Sequence, residues 1–70
     1  MNNKYLKQNI DRLDIPIKAI EILKQNKITI IEQLCDKSKT YLKNLGLNSL
    51  EIEKLQIELQ LLGLNIKTNY

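Results

Sequence analysis

The sequence contains no histidine, tryptophan, phenylalanine or valine, and it has a single cysteine, Cys35. A protein with one cysteine cannot form an internal disulfide. Without histidine the Cys35 thiol has no imidazole base to activate it, so we interpret this residue as part of the core rather than as a nucleophile. No run of residues approaches the ~18 apolar residues that a membrane span requires, and residues 1–9 lack the apolar centre of a signal peptide. These absences predict a reduced, cytoplasmic-type compartment and no membrane partner.

Groups that perform catalysis are also scarce. The sequence shows no metal-ligand cluster and no glycine-rich phosphate loop, which leaves carboxylates as the only candidates. Asp11 and Asp14 fall in a predicted arm, and Glu51, Glu53 and Glu58 fall in the last predicted helix. Carboxylates in such positions are usually solvated surface charge. We therefore predict a domain that is not an enzyme and that needs no metal and no cofactor.

Seventy residues allow one small domain in which every apolar position matters for stability. Leu and Ile supply most of the apolar content, and they recur at helical spacing. The net charge is +3, and the charges are unevenly distributed along the sequence. Residues 1–43 carry nine basic and five acidic side chains, whereas residues 44–70 carry two basic and three acidic ones. The basic residues stand singly, as on a solvated surface, although the excess permits contact with nucleic acid.

Local signals predict two helices in the first half, near residues 16–26 and 29–37. Pro16 suits the first turn of a helix, and Asp14 is a candidate cap ahead of it. Thr29 and Glu32 have the spacing of a capping box for the second helix. The first helix is expected to place Ile17, Ile20 and Leu23 inward.

Two more helices are predicted near residues 39–44 and 49–62. Ser38 is a candidate cap for the third helix, and Asn48 forms a possible capping box with Glu51 at the start of the fourth. Gly46 can adopt a positive φ in the turn between them, and Gly63 is a candidate stop. The spacing of helix, short turn and helix around Gly46 is typical of a helix-hairpin-helix.

We therefore predict an all-α fold, a compact bundle of four to five short helices with a helix-hairpin-helix and a preceding extended arm. The arm, residues 10–15, would lay Ile10, Leu13 and Ile15 over the core. Residues 1–9 are expected to be a flexible tail or linker end, residues 10–66 the domain, and residues 67–70 a C-terminal tail. The predicted core includes Leu13, Ile20, Leu23, Ile31, Leu34, Leu55, Leu59 and Leu62.

The last helix carries two apolar stripes instead of one. Ile52, Leu55, Leu59 and Leu62 fall within about 80° of each other and are expected to face the core, whereas a second group lies roughly 160° away. That second group, a candidate partner-binding surface, consists of Leu50, Ile57 and Leu61. Either residues 1–15 fold over it, with Tyr5, Leu6 or Ile10 as cover, or it binds a helix of another subunit or a second copy of this protein as a weak homodimer.

Several short motifs occur together in a characteristic order. They read Ile10-Asp11-Arg12-Leu13-Asp14-Ile15, then Ile22-Leu23-Lys24, Ile28-Thr29-Ile30-Ile31-Glu32-Gln33-Leu34, Asn44-Leu45-Gly46-Leu47-Asn48-Ser49-Leu50 and Leu62-Gly63-Leu64. In this order they make residues 10–66 resemble the C-terminal domain of the bacterial RNA polymerase alpha subunit. The segment before Asn44 is shorter than in that family and the last helix is longer, so the turn motif and the helix end cannot both align. For core packing we adopt the register of the helix end.

The resemblance implies a non-catalytic transcription module in the cytoplasm, associated with the nucleoid, or in the equivalent compartment of an organelle. Its implied partners are upstream promoter DNA, bound weakly at AT-rich minor groove and phosphates, together with RNA polymerase subunits and transcription regulators. The DNA-binding positions implied by the family's motifs are Lys18, Asn44, Gly46, Asn48 and Ser49. Three positions depart from the family: Lys18 replaces an arginine, Glu21 an asparagine and Asn48 a lysine.

Elementary physics supports an anion site at the same turn. Free N–H groups from Leu47 to Leu50 and the positive end of the helix dipole suit a phosphate, and Lys18 and Lys43 add charge. The alternative is that Gly46 is only a turn residue and that Asn48 and Ser49 are only caps. A second function therefore stays open: a stand-alone protein-interaction module that keeps this fold and has lost DNA binding, which Glu21 and Asn48 favour.

Overall fold

A computed structural model describes residues 3–67 of the protein. A short 3-10 helix, Ile10–Arg12, precedes four α-helices: α1 (Ile17–Gln25), α2 (Ile31–Cys35), α3 (Lys39–Leu45) and α4 (Ser49–Leu61). The described residues contain no β-strand, only the isolated bridges Asn9–Ile30 and Ser38–Lys67. The predicted all-α class is confirmed, and each helix boundary lies within two residues of its predicted position.

The core lies between the four helices and the segments that join them. Leu55 and Leu59 on α4 are fully buried, whereas Leu50 is 76% exposed, so the register taken from the helix end is confirmed. Two of the predicted core residues, Ile20 and Leu62, are only partly buried. The buried apolar residues are Ile10, Leu13, Ile15, Ala19, Leu23, Ile28, Ile31, Leu34, Leu42, Leu47, Ile52, Leu55, Leu59 and Ile66.

Helix α1 buries only part of the predicted face, since Leu23 is buried as expected and Ile20 is partly buried. Ile17 is 75% exposed, and the fully buried positions are Ala19 and Leu23, which lie one turn apart. A small residue such as Ala19 allows the helix backbone to approach its neighbours closely. The prediction that Ile17 faces the core is therefore wrong.

The segment before α1 also differs from the expectation. Its residues Ile10, Leu13 and Ile15 are buried as predicted, but Ile10–Arg12 forms a 3-10 helix within the expected extended arm, capped by the side chain of Asn9. Asp14 does not cap α1, since the N-cap is Pro16 and the start of this helix has no hydrogen bond to a side-chain cap. The backbone N–H of Asp14 donates instead to the carboxylate of Glu58 on α4, 3.2 Å away.

Helix α2 begins one residue later than a Thr29 cap would require. Its N-cap is Ile30, which has no side-chain acceptor for a hydrogen bond, so the predicted capping box of Thr29 and Glu32 is wrong. Gln33 reaches back to this end instead, and its Oε1 accepts from the backbone N–H of Thr29 at 2.8 Å and of Ile30 at 3.3 Å. Glu32 forms an exposed ion pair with Lys7.

Residues 3–9, expected as part of a tail, form turns that are hydrogen-bonded to α2. The N–H of Ile31 donates to the carbonyl of Gln8 at 2.9 Å, and the N–H of Glu32 donates to the carbonyl of Leu6 at 2.8 Å. These are two of the four N–H groups that a helix start leaves without an internal partner. A distant segment of the sequence thus provides the cap of α2. Of the C-terminal tail predicted at 67–70, residues 68–70 lie outside the described part.

Three helices end in the same way. After α1, α3 and α4 one residue has a left-handed backbone: Lys27 (φ 63°), Gly46 (φ 116°) and Gly63 (φ 78°). The next N–H then bonds back five residues, as from Leu64 to Leu59 at 2.8 Å. The positive φ of Gly46 and the stop at Gly63 were predicted, but Lys27 was not, because lysine rarely adopts this conformation.

Candidate nucleic-acid interface

Both helices that flank the α3–α4 turn have side-chain caps at their N-termini. Ser38 caps α3, with its Oγ accepting from the N–H of Tyr41 at 3.1 Å, and Asn48 caps α4. Both caps agree with the sequence prediction. Gly46 lies against α1, where a Cβ built on it would be 3.8 Å from Cδ1 of Ile22. The turn therefore rests on the face of α1 that carries Ile22.

Lys18 lies on that face of α1 as well. It precedes Ile22 by four residues, so the two side chains are neighbours one turn apart, and Lys18 is exposed. The contact between Gly46 and Ile22 brings the turn alongside the row that begins with Lys18. Ile17 is exposed as well, but at ~100° per residue it lies about 140° around the helix from Ile22 and belongs to another face.

The remaining candidate residues surround the turn. Lys43 and Asn44 are exposed in the last turn of α3, Asn48 is exposed at the N-cap of α4, and Ser49 is exposed as its first residue. Lys18 and Lys43 thus come from different helices that flank one turn. Lys18 is followed on α1 by Glu21, also exposed, which keeps a carboxylate on the same helix surface.

The start of α4 offers fewer free N–H groups than predicted. The N–H of Leu47 donates to the carbonyl of Leu42, and the N–H of Asn48 donates to the carboxylate of Glu51 at 2.9 Å. Asn48 in turn accepts from the N–H of Glu51 at 2.8 Å, which completes the predicted capping box. Within the described residues only Ser49 and Leu50 keep unbonded N–H groups at this end.

Glu51 also changes the charge of this helix start. Its side chain is only 6% exposed, and a carboxylate at a helix N-terminus satisfies much of the positive end of the dipole. An incoming phosphate would meet this negative charge behind the exposed N–H groups. The expectation of four free donors from Leu47 to Leu50 is therefore wrong, and the cationic side chains Lys18 and Lys43 are the main attraction for an anion here.

A second surface feature lies along α4. Leu50, Ile57 and Leu61 are 76%, 54% and 75% exposed, so the described part of the N-terminal segment does not cover them. That segment binds elsewhere, since the amide of Asn3 donates to the carbonyl of Leu62 at 2.8 Å, beyond the C-terminal end of α4. Cover by Tyr5, Leu6 or Ile10, one of the two predicted alternatives, is thus excluded.

Few groups elsewhere are suited to chemistry. Cys35 is half-buried, and this burial raises the pKa of its thiol against a smaller lowering by a backbone hydrogen bond at Asn65. It borders a shallow concavity of about 390 Å³ together with Leu6, Glu32, Gln33 and Asp36. Residues 3–67 contain no cluster of acidic, cysteine or histidine side chains that could hold a metal ion. Over the same range, none of the helices has the length and apolar character needed to cross a bilayer.

The fold and this surface define a small helical domain with basic side chains grouped around a capped turn. The family described as the C-terminal domain of the alpha subunit of bacterial RNA polymerase matches residues 1–57. The protein belongs to this family, whose domain is a non-catalytic part of the polymerase. The match includes the candidate interface and ends within α4, before Leu61. No curated protein sequence matches this one.

Proposed function

We propose that this domain serves transcription by contacting upstream promoter DNA, at AT-rich minor groove and at phosphates, and by binding transcription regulators and other subunits of RNA polymerase. The contact between Gly46 and Ile22 carries the proposal, because it places the α3–α4 turn beside the α1 face that holds Lys18. Lys43, Asn44, Asn48 and Ser49 belong to the same turn region, and we assign DNA contact to this set.

The charge of this surface sets the strength of binding. Lys18 and Lys43 supply two phosphate contacts, and the N–H groups of Ser49 and Leu50 supply a third. Because only the two lysines neutralise phosphate charge, the slope of log K against log salt should be about −2, and the dissociation constant about 10⁻⁴ M or weaker at physiological salt. Glu21 and Glu51 oppose the phosphate backbone, which keeps the affinity at this low end.

A titration with an AT-rich duplex tests the DNA contact. We expect amide chemical shifts to move around Lys18 and Gly46, Lys18→Ala to weaken binding and lower the salt slope by about 1, and Glu21→Asn to strengthen binding by removing a carboxylate. Lys4→Ala is the matched control, since it removes one exposed cation beside Asn3, whose amide is bonded to the carbonyl of Leu62. That end of α4 is about 20 Å from Ser49.

The outcomes separate a defined interface from general charge attraction. Equal losses for Lys18→Ala and Lys4→Ala would mean that the duplex senses only net charge. Shifts that move away from Lys18 and Gly46, or an affinity that Glu21→Asn leaves unchanged, would contradict this surface. A GC-rich duplex of equal length, bound less tightly, supports readout of groove shape in addition to phosphate contact.

Two observations favour a second function. The exposed apolar stripe of α4 and the carboxylate of Glu51 at the turn suit a protein-interaction module that has lost DNA binding. This alternative predicts no duplex binding even at low salt, where three phosphate contacts would be strongest. The same titration, run at low and at physiological salt, therefore decides between the two functions.

A further inference from the structure

The exposed side of α4 has a regular pattern. Leu50, Lys54, Ile57 and Leu61 follow each other at spacings of four, three and four residues, all are exposed, and they form one straight row. This spacing is that of the facing seam in a pair of packed helices. The row, which we call the α4 seam, extends over nearly the whole of the 13-residue helix.

The residues beside the α4 seam differ between its two sides. At ~100° per residue, Lys54 is slightly displaced from the centre of the seam, and Glu58 flanks the seam on the same side as Lys54. Glu53 and Gln60 flank it on the opposite side. Glu58 is held toward the first half of the sequence by the N–H of Asp14, which donates to its Oε1. Charges of both signs therefore lie at defined positions along the seam.

These positions are complementary to themselves when two helices run in opposite directions. An antiparallel pair centred between residues 55 and 56 places Leu50 against the partner's Leu61 and the stem of Lys54 against the partner's Ile57. Antiparallel packing brings like sides together, so the Lys54 ammonium meets the partner's Glu58, and Glu53 meets the partner's Gln60. Each of these contacts occurs twice by symmetry.

The parallel arrangement lacks this match. An in-register parallel pair would place Lys54 against the partner's Lys54, and Glu53 near the partner's Glu58. Like charges in such positions are repulsive. The charge pattern therefore favours the antiparallel orientation over the parallel one. Charges that served only solubility would not be expected to distinguish the two orientations.

From this self-complementarity we infer that the α4 seam binds a second copy of this protein, with the two α4 helices antiparallel. The inference does not rest on the proposed DNA contact, although the seam begins at Leu50, whose N–H group is assigned to phosphate. Three apolar side chains per copy are fewer than a standard interface of about 1,600 Å² contains, so the dimer is weak, with a dissociation constant on the order of 10⁻⁴ M.

Sedimentation of the 70-residue protein over a concentration series tests for the dimer. We expect Ile57→Glu to weaken self-association by more than tenfold, because it places a charge in the middle of the seam. Ile17→Glu is the matched control, since Ile17 is an exposed isoleucine outside the seam, and it should leave the association unchanged. Circular dichroism of both variants verifies that the fold is retained. A protein that stays monomeric at millimolar concentration, or equal effects of the two variants, overturns the inference.

Disulfide trapping tests the orientation. In a Cys35→Ser background, the Leu50→Cys and Leu61→Cys variants should cross-link only when mixed, because residue 50 lies about 16 Å along the axis from residue 50 of an antiparallel partner. Cross-linking of each variant with itself would indicate parallel helices and overturn the proposed pairing. Lys54→Glu should weaken the dimer several-fold and Glu58→Lys should restore it when combined with Lys54→Glu. Failure of that restoration contradicts the salt bridges between the copies.

Discussion

Helices α2 and α4 begin by different means. Helix α4 is capped within its own first turn, where Asn48 and Glu51 exchange hydrogen bonds of 2.8 and 2.9 Å. Helix α2 takes its acceptors mainly from a distant segment, the carbonyls of Leu6 and Gln8. The start of α4 is therefore specified by residues that are neighbours in the sequence, whereas the start of α2 depends on the N-terminal segment folding back onto it.

The largest expected effect comes from removing that segment. A variant that begins at Asn9 lacks the two carbonyls and the partly buried side chains of Tyr5 and Leu6, and we expect it to lose about 3 kcal/mol of unfolding free energy. Urea unfolding followed by circular dichroism measures the loss, and hydrogen exchange should quicken first at the amides of Ile31 and Glu32. Lys7→Ala is the control, since it removes only an exposed ion pair and should cost little. An unchanged urea midpoint for the shortened variant would contradict the role of this segment.

An intermediate effect is expected at α4. Asn48→Ala removes the acceptor for the N–H of Glu51 and should lower the unfolding free energy by about 1 kcal/mol. Asn48→Ser keeps an oxygen that can cap the helix and should retain most of the stability. Thermal or urea unfolding of the two variants side by side measures the difference. Equal stabilities would mean that the side chain of residue 48 is not the cap.

The smallest effect is expected at Thr29, where the sequence predicts a cap that the structure does not contain. Among residues 3–67, its hydroxyl donates only to Oε1 of Gln33, at 3.3 Å and on the surface. Thr29→Ala should therefore change the unfolding free energy by less than about 0.5 kcal/mol in the same unfolding experiment. A loss as large as that of Asn48→Ala would show that Thr29 does cap α2 in solution.

Local signals predicted well wherever local contacts decide the structure. Ser38, Asn48, Gly46 and Gly63 each act through neighbours within a few residues, and their predicted roles agree with the structure. The prediction that Thr29 caps α2 was wrong because the carbonyl of Thr29 accepts a hydrogen bond from the N–H of Ile10. With that carbonyl engaged outside the helix, Ile30 becomes the N-cap. A capping motif in the sequence cannot reveal that hydrogen bonds to a segment about twenty residues away shift the start of the helix.

The surface around the turn was harder to predict than the helices. Periodicity alone could not show that α1 packs through Ala19 and leaves Ile17 exposed, because both faces carry apolar residues. The family's motifs indicated Lys18 and Gly46 separately. Only the packing of Gly46 on Ile22 relates them in space, and only the buried position of Glu51 reveals the negative charge behind the turn.

The shared ending of α1, α3 and α4 bears on how fast the protein folds. Each closing bond joins residues five apart, from Ile28 to Leu23, from Leu47 to Leu42 and from Leu64 to Leu59. Closing so short a loop costs little conformational entropy, and in each case it brings apolar side chains together. Much of the core is thus assembled from contacts between near neighbours in the sequence. Small helical domains of this kind fold in microseconds to milliseconds, which leaves an emerging polypeptide little time with its apolar residues exposed.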